Sequence, residues 1–310
     1  MCEIDTDAER VAIRHCCVVA VVPAHDEERF IGSVVLKARK CVDAVIVVDD
    51  GSTDGTAEVA EAAGATVIRH AQNLGKGAAL NTGFRAARKL APAAVVVLDA
   101  DGQHAAHEIP IVIKPVLDGE ADMVVGSRFL DGNGDAPSVR GLGLRAVTKL
   151  SNVGSGLALT DSQMGFRAFS PAALDGITFT ASGFSVESEM QFLAQQLGLR
   201  TVEVPVSCTY GARKRNVMAQ GLEVLNGILR LIGQHRPLLF FGVPGAIALI
   251  AGLLWGAWVV DIYRRTGDLA VGYALIAVLL CIIGTMAAST GIMLHSLRAL
   301  LLELVGPKKE

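Results

Sequence analysis

Along the first 130 residues, apolar positions gather into short unbroken runs, each ending abruptly in polar residues. Residues 18–22, 44–48, 66–69, 95–98 and 122–126 form such runs, with helical periodicity between them. Unbroken runs mark strands covered on both faces, and their alternation with helices predicts an α/β fold built on a mostly parallel sheet. Asp54 is placed to N-cap the helix after the second run. Open sheets of this kind bind ligands at the carboxyl ends of their strands. Glu27, Asp49, Asp50, Lys76, Asp99, Asp101 and Arg128 all fall at such ends and are expected to line one cleft.

The pattern changes later in the chain. Residues 202–206 predict a late strand, and the basic run Arg213-Lys214-Arg215 follows. Over residues 216–234, Met218, Leu222, Leu225, Leu229 and Ile232 share one helical face. Such an amphipathic helix suits a membrane interface or a globular surface. Residues 237–260 and 269–294 then carry no charge, and each run is long enough to cross a hydrocarbon core of about 30 Å. The segment 261–268 predicts a short turn, giving a transmembrane hairpin. The divisions expected are a tail at 1–15, a catalytic domain at 16–212, a basic segment with an interfacial helix at 213–236, the hairpin at 237–296 and a tail at 297–310.

Composition sharpens this division. Of 310 residues, 51% are hydrophobic, and the excess lies mostly after Pro237. A net charge of −3 excludes a general nucleic-acid binder. The six cysteines show no C-x-x-C spacing, which fits reduced thiols rather than a disulfide framework. The acidic start at residues 1–7 lacks the basic and apolar regions of a signal peptide, so a cytoplasmic catalytic domain is expected. Arg298, Lys308 and Lys309 favour a cytoplasmic tail, whereas Arg264 and Arg265 in the turn oppose that orientation. Gly242, Gly245, Gly252 and Gly256 suit close packing, either within the hairpin or between copies in a homo-oligomer.

The chemistry centres on Asp99-Ala100-Asp101-Gly102-Gln103. Carboxylates two apart on an extended segment face the same side. With the Gln103 oxygen they make an oxygen-only set suited to Mg²⁺ or Mn²⁺. Gly75-Lys76-Gly77 lacks the spacing of a P-loop, and no G-x-G-x-x-G follows the first strand. His104 and His107 are expected on a helix surface.

Four motifs occur in register: Val22-Pro23-Ala24-His25-Asp26-Glu27-Glu28, then Val48-Asp49-Asp50-Gly51-Ser52-Thr53-Asp54-Gly55-Thr56, Asn73-Leu74-Gly75-Lys76-Gly77 and Asp99-Ala100-Asp101-Gly102-Gln103-His104. Together they resemble a family 2 glycosyltransferase with the GT-A fold. The resemblance implies that Pro23, Glu27, Asp49 and Asp50, with Lys76 and Asp99, hold a nucleotide sugar. It also implies that Asp99, Asp101 and Gln103 bind a divalent ion on its diphosphate. His25-Asp26 departs from the aromatic-Asn pair common in the family.

Beyond the turn-rich stretch 131–138, Arg140, Arg145 and Lys149 lie on a helical pattern that could meet anionic substrate. Thr160-Asp161-Ser162-Gln163-Met164-Gly165-Phe166-Arg167 is similar to the D-[ST]-x-x-G-F-R segment of the polyprenyl-phosphate hexosyltransferase branch, which includes dolichol-phosphate mannose synthases. There the aspartate is the proposed base. Glu187 and Glu189 resemble the acidic helix motif of the same site; two apart on a helix, at most one is expected to point inward. Arg128 would steady the departing diphosphate, and Arg140, Arg213, Lys214 and Arg215 would meet the acceptor phosphate. The expected protein is an inverting hexosyltransferase at the cytoplasmic membrane face, using a nucleotide sugar donor and a polyprenyl or dolichyl phosphate acceptor. Its rivals are transfer to a glycan hydroxyl, a sugar-phosphate nucleotidyltransferase and an inactive nucleotide-sugar-binding adaptor.

Overall fold

The computed structural model describes residues 17–130, 138–180, 186–208, 217–268 and 270–305. Its contacts divide into two units, Met1–Ile228 and Leu229–Glu310.

In the first unit, seven strands form one sheet: β1 (Val18–Ala24), β2 (Ala44–Asp49), β3 (Thr66–Arg69), β4 (Ala94–Val97), β5 (Met123–Ser127), β6 (Arg167–Phe169) and β7 (Thr201–Pro205). Their order is β3-β2-β1-β4-β6-β5-β7. All neighbours run parallel except at β6, which pairs antiparallel with both β4 and β5. The mostly parallel sheet expected from the apolar runs is therefore present, with one three-residue strand the pattern did not announce. β6 is too short to form a run of its own and hides inside the acceptor motif.

Successive residues of β1 serve opposite faces. Val18, Ala20 and Val22 join Ile31, Val34 and Val35 of α1 (Glu28–Ala38) and Ile109 and Val112 of α4 (Ile109–Leu117) in one core. Val19 and Val21 join Leu80 and Phe84 of α3 (Lys76–Arg88) in the other. Gly83 of α3 lets that helix lie close on the sheet, since a Cβ there would stand 2.4 Å from Val21 Cγ1. α2 (Thr56–Ala62) begins two residues later than Asp54 predicted; Asp54 Oδ1 still accepts from the Thr56 amide at 3.0 Å. Four further helices complete this part of the chain: α5 (Ser138–Ser155), α6 (Pro171–Gly176), α7 (Val186–Gln196) and α8 (Val217–His235), the last crossing the boundary between the units.

Within α8, Ile228, Leu231 and Ile232 are buried while Leu225 and Leu229 are exposed. The single apolar stripe expected there is thus broader than a 3.6-residue repeat required. In the second unit, a π-helical turn (Leu238–Gly242) leads into α9 (Val243–Thr266), and α10 (Val271–Val305) returns. Segments 238–266 and 271–300 are long and apolar enough to cross a membrane, and only 11% of each is buried. Both helices outrun the uncharged stretches. Asp261, Arg264 and Arg265 are helical rather than looped, with Arg265 bonded to Asp261 one turn away at 2.9 Å. The helix stops at Gly267, whose φ of 76° takes the left-handed cap a side chain would resist. Helix α10 also extends into what composition assigned to the tail.

Gly245, Gly252 and Gly284 of the hairpin face the opposing helix. A Cβ on Gly284 would stand 2.4 Å from the Leu249 amide nitrogen and 2.8 Å from the Gly245 oxygen, and one on Gly245 2.4 Å from the Ala288 nitrogen. Backbone cannot yield as a side chain can. Gly284→Leu is expected to lower the thermal midpoint in detergent, at or above the ~1–3 kcal/mol usual for overpacking. Gly272→Leu, at a position with open space around it, should leave the midpoint in place. Equal midpoints for the two variants would refute this packing.

Candidate active site

The carboxyl ends of the parallel strands share one edge of the sheet, with the reversal of winding between β1 and β4. Pro23, next to last in β1, lies opposite Val48 and beyond the last β4 pairing at Val21, so its missing N–H breaks no ladder bond. The two loops beside it are stitched together. The Glu27 amide donates to Thr56 Oγ1 at 2.8 Å, and Asp26 accepts from the Thr53 amide at 2.8 Å. Asp26 adopts φ 53° to do so, a conformation that Asp tolerates better than most residues. The departure at His25-Asp26 therefore has a local use.

Asp49 and Asp50 are both buried. Asp49 Oδ1 accepts from the Ser52 amide at 3.1 Å. Asp50 receives three donors: the amides of Leu74 (3.0 Å) and Gly75 (2.7 Å), and His70 Nδ1 (2.7 Å). His70 Nε2 meets Thr82 Oγ1 at 2.9 Å. Asp50 thus moulds the loop that delivers Lys76.

Lys76 opens α3 after Gly75, whose φ of 92° sets the entry turn. Its Nζ lies 2.5 Å from Asp99 Oδ1 and 2.6 Å from Glu187 Oε1. Burial works against a charged lysine here, but Asp99 and then Glu187 overcome it and push its pKa well above the ordinary value. For Asp99 burial likewise raises the pKa, and Lys76 followed by His104 outweighs it, leaving about 2 against an ordinary 3.8. Because the folded value is depressed, this stabilisation is complete above about pH 4 and lost only as pH falls toward 2. Asp99 is an anion throughout any working range.

His104 is not on a helix surface. Its side chain is 5% exposed, stacks on Phe166 at 5.3 Å and accepts from the Asp99 amide at 3.1 Å, with Nε2 3.6 Å from Asp99 Oδ2. Burial holds its pKa down, so it supports Asp99 as a neutral ring. A β-bridge to Cys208 folds the segment inward where a helix was expected. His107 is exposed.

Asp101 accepts from the Gln103 amide at 3.1 Å and from Gln103 Nε2 at 2.6 Å. Gln103 fixes this carboxylate, which keeps lone pairs to spare. The set fits a hard divalent ion: oxygen donors, a half-exposed Asp101, and Asp99 beside it. Among the described residues no cluster of three or more acidic, His or Cys side chains is arranged to hold an ion by itself. Mg²⁺ and Mn²⁺ take one or two carboxylates and complete their shell from water and phosphate.

Asp161 is wholly buried. Arg128 grips it as a fork, Nε to Oδ2 at 2.6 Å and Nη2 to Oδ1 at 2.8 Å. Glu203 of β7 holds the same loop, accepting from the Thr160 amide at 2.8 Å and the Asp161 amide at 3.1 Å. Arg128 and Arg145 both approach the Phe129 ring, at 5.7 and 5.3 Å. Arg145 and Lys149 of α5 are exposed. The side chain of Arg140, and all of Arg213, Lys214 and Arg215, lie outside the described residues.

The Asp99–His104 and Thr160–Arg167 motifs meet at Gly165, where a Cβ would stand 2.6 Å from Asp99 Oδ2. From β6, buried Arg167 clasps the acceptor loop, Nε to the Met164 oxygen at 2.9 Å and Nη2 to the Ser162 oxygen at 2.7 Å. Both Glu187 and Glu189 are buried, contrary to the one-face expectation. Helix α7 is enclosed from Val186 to Gln191, so Glu187 serves Lys76 while Glu189 takes the Thr180 amide at 2.8 Å. Glu203, Arg167 and His70 escaped the sequence reading. A lone carboxylate in the apolar run 202–206 was the available sign for Glu203.

A family model described as "Glycosyl transferase family 2" matches residues 19–177. The chain is 31% identical to UDP-N-acetylglucosamine–dolichyl-phosphate N-acetylglucosaminyltransferase of Methanococcus voltae, over 69% of this chain and 95% of that protein. It is 31% identical to undecaprenyl-phosphate mannosyltransferase of Micrococcus luteus, over 61% and 82%. Among solved structures, glucosyl-3-phosphoglycerate synthase of Mycobacterium tuberculosis with Mn²⁺, UDP and glucosyl-3-phosphoglycerate superposes with a TM-score of 0.58 at 25% identity, covering 75% and 86%.

Proposed function

The chain belongs to glycosyl transferase family 2, and from that premise we propose that it moves a hexose from a nucleoside diphosphate sugar to a polyprenyl phosphate, with inversion, at the cytoplasmic face of a membrane. The observation that carries this reading is the Arg128–Asp161 fork. A hydroxyl acceptor needs a general base, and Asp161 is committed to a guanidinium. An alkyl phosphate has a second pKa of about 6 and arrives largely dianionic. It needs cations, not a base. Exposed Arg145, beside the Phe129 ring, would supply one, while Arg128 stays paired with Asp161.

In the proposed reaction an acceptor phosphate oxygen attacks the anomeric carbon from the face opposite the diphosphate. The bond from that carbon to the diphosphate oxygen breaks, and the nucleoside diphosphate leaves with the electron pair. No proton need move. Glu27, Asp49 and the Asp50-moulded loop would hold the nucleoside, and Lys76 the diphosphate. Asp101, steadied by Gln103, would hold the divalent ion with Asp99; when bound, the ion offsets charge building on the leaving group. The two named relatives act on prenyl phosphates with different sugars, so the relatives support the acceptor class without fixing the hexose. The two membrane-length helices would keep the site beside a lipid acceptor.

The test is to incubate membranes containing the protein with a panel of labelled UDP- and GDP-sugars and Mg²⁺ or Mn²⁺, then extract lipid. Labelled polyprenyl phosphate sugar is expected. Label confined to a water-soluble product, whether a glycan or a small phosphorylated acid, would overturn the acceptor class. Replacing Arg213, Lys214 and Arg215 together with Gln should raise the lipid KM about a hundredfold, at ~1 kcal/mol per basic residue near an anionic surface and ~1.4 kcal/mol per factor of ten. The donor KM should stay within about twofold. If membrane attachment alone suffers, those residues only greet headgroups.

A further inference from the structure

The site already contains a cation. Lys76 Nζ sits between Asp99 Oδ1 and Glu187 Oε1 at 2.5 and 2.6 Å, bringing α3, the end of β4 and α7 to one point. Those are charge-assisted contacts at the short end of their range. The second Asp99 oxygen is walled in by His104 Nε2 at 3.6 Å and by the close approach of Gly165. Asp101, by contrast, meets among the described residues only donors from its own turn, the two N–H groups of Gln103. The paired aspartates are therefore not equivalent: Asp101 is presented, and Asp99 is engaged by the ammonium it shares with Glu187.

We propose that Lys76 is a built-in competitor for the divalent ion, holding Asp99 closed until the donor diphosphate draws the ammonium away. Glu187 positions the lysine by giving it a second anchor. The inference rests on the reading of the site as one for a nucleoside diphosphate sugar. Its physical basis is charge. A divalent ion entering beside Lys76 meets a repelling ammonium and one available carboxylate. A diphosphate brings two or three negative charges, and its oxygens offer Lys76 a new partner. Asp99 is then released to the ion. Ion and nucleotide should consequently bind as a coupled pair, each improving the affinity of the other by the same factor.

The experiment uses the full chain in detergent or nanodiscs and reads Mn²⁺ binding directly by electron paramagnetic resonance of the free ion, with no acceptor and no turnover. In wild type, Mn²⁺ should bind weakly alone and at least about tenfold tighter with saturating UDP. Lys76→Met should bind Mn²⁺ about tenfold tighter than wild type without UDP, and its UDP coupling should shrink. Lys76→Arg, which keeps the charge, should stay weak. Removal of a nearby positive charge could act at a distance, and a double-mutant cycle separates the two cases. If Asp99 is the group released, Asp99→Asn cancels the gain of Lys76→Met. A gain that survives Asp99→Asn overturns the proposal, as does nucleotide-free affinity in Lys76→Met equal to that of wild type. Circular dichroism and the thermal midpoint establish that each variant is folded. Should Lys76→Met fail to fold, the UDP dependence of Mn²⁺ binding in wild type decides, and its absence overturns the proposal. An intact cycle in a protein whose Mn²⁺ binding ignores every nucleoside diphosphate overturns instead the reading of the site as a donor site.

Discussion

Asp101→Ala should abolish sugar transfer for practical purposes, cutting kcat/KM by about three orders of magnitude. Removing a group that stabilises charge developing in the transition state costs about 10²–10³ in rate. Asp101 is also the carboxylate best presented to the ion, since Asp99 is held by Lys76 at 2.5 Å. The loss should appear with both Mg²⁺ and Mn²⁺, and Mn²⁺ binding in the presence of UDP should fall with it. The fold should survive, because among the described residues the hydrogen-bond partners of Asp101 lie in Gln103, two residues along. Measured formation of labelled lipid within tenfold of wild type would refute the assignment.

Asp161→Asn should behave differently. Asparagine keeps the shape and one acceptor for the Arg128 fork but discards the charge, roughly halving those bonds. Transfer should persist at a reduced kcat, with a loss smaller than that of Asp101→Ala. Stability should fall, though by less than the ~3–5 kcal/mol of removing one partner from a buried pair outright. Asp161→Ala removes both ends of the fork and should cost more than Asp161→Asn. If Asp161 were instead the base for a hydroxyl acceptor, Asp161→Asn would be as inactive as Asp101→Ala at every pH. A pH–rate series on the two variants side by side distinguishes these outcomes.

Much of this was legible in the chain. Strands buried on both faces must be apolar throughout, so β1, β2, β4 and β5 announced themselves, and the abrupt polar ends marked the edge that carries the site. Spacing put Asp99 and Asp101 on one side of an extended segment, and the three companion motifs made them a candidate ion site. Their inequality was not legible, because it depends on Lys76 and Glu187, 111 residues apart in sequence. His104 was misplaced for a similar reason. Three-residue spacing to His107 mimics a helix surface, while the bridge to Cys208 that turns His104 inward involves a residue far along the chain. Glu187 and Glu189 show the limit of reasoning from one helix. Opposite faces imply one exposed carboxylate only when the helix has an exposed face, and α7 there has none.

Gly165 joins what the motifs present as separate modules. With no side chain of its own, it lets the acceptor loop rest on the carboxylate of Asp99, and Arg167 ties that loop to the central strand. Substrate preference in this fold is therefore not inherited in two independent halves. A chimaera taking its donor motifs from one relative and residues 160–167 from another would carry a mismatched seam at the catalytic centre. Recombination points placed before β1 or after β7 keep that seam and the Lys76 contacts whole and are the ones from which working hybrids should be recovered.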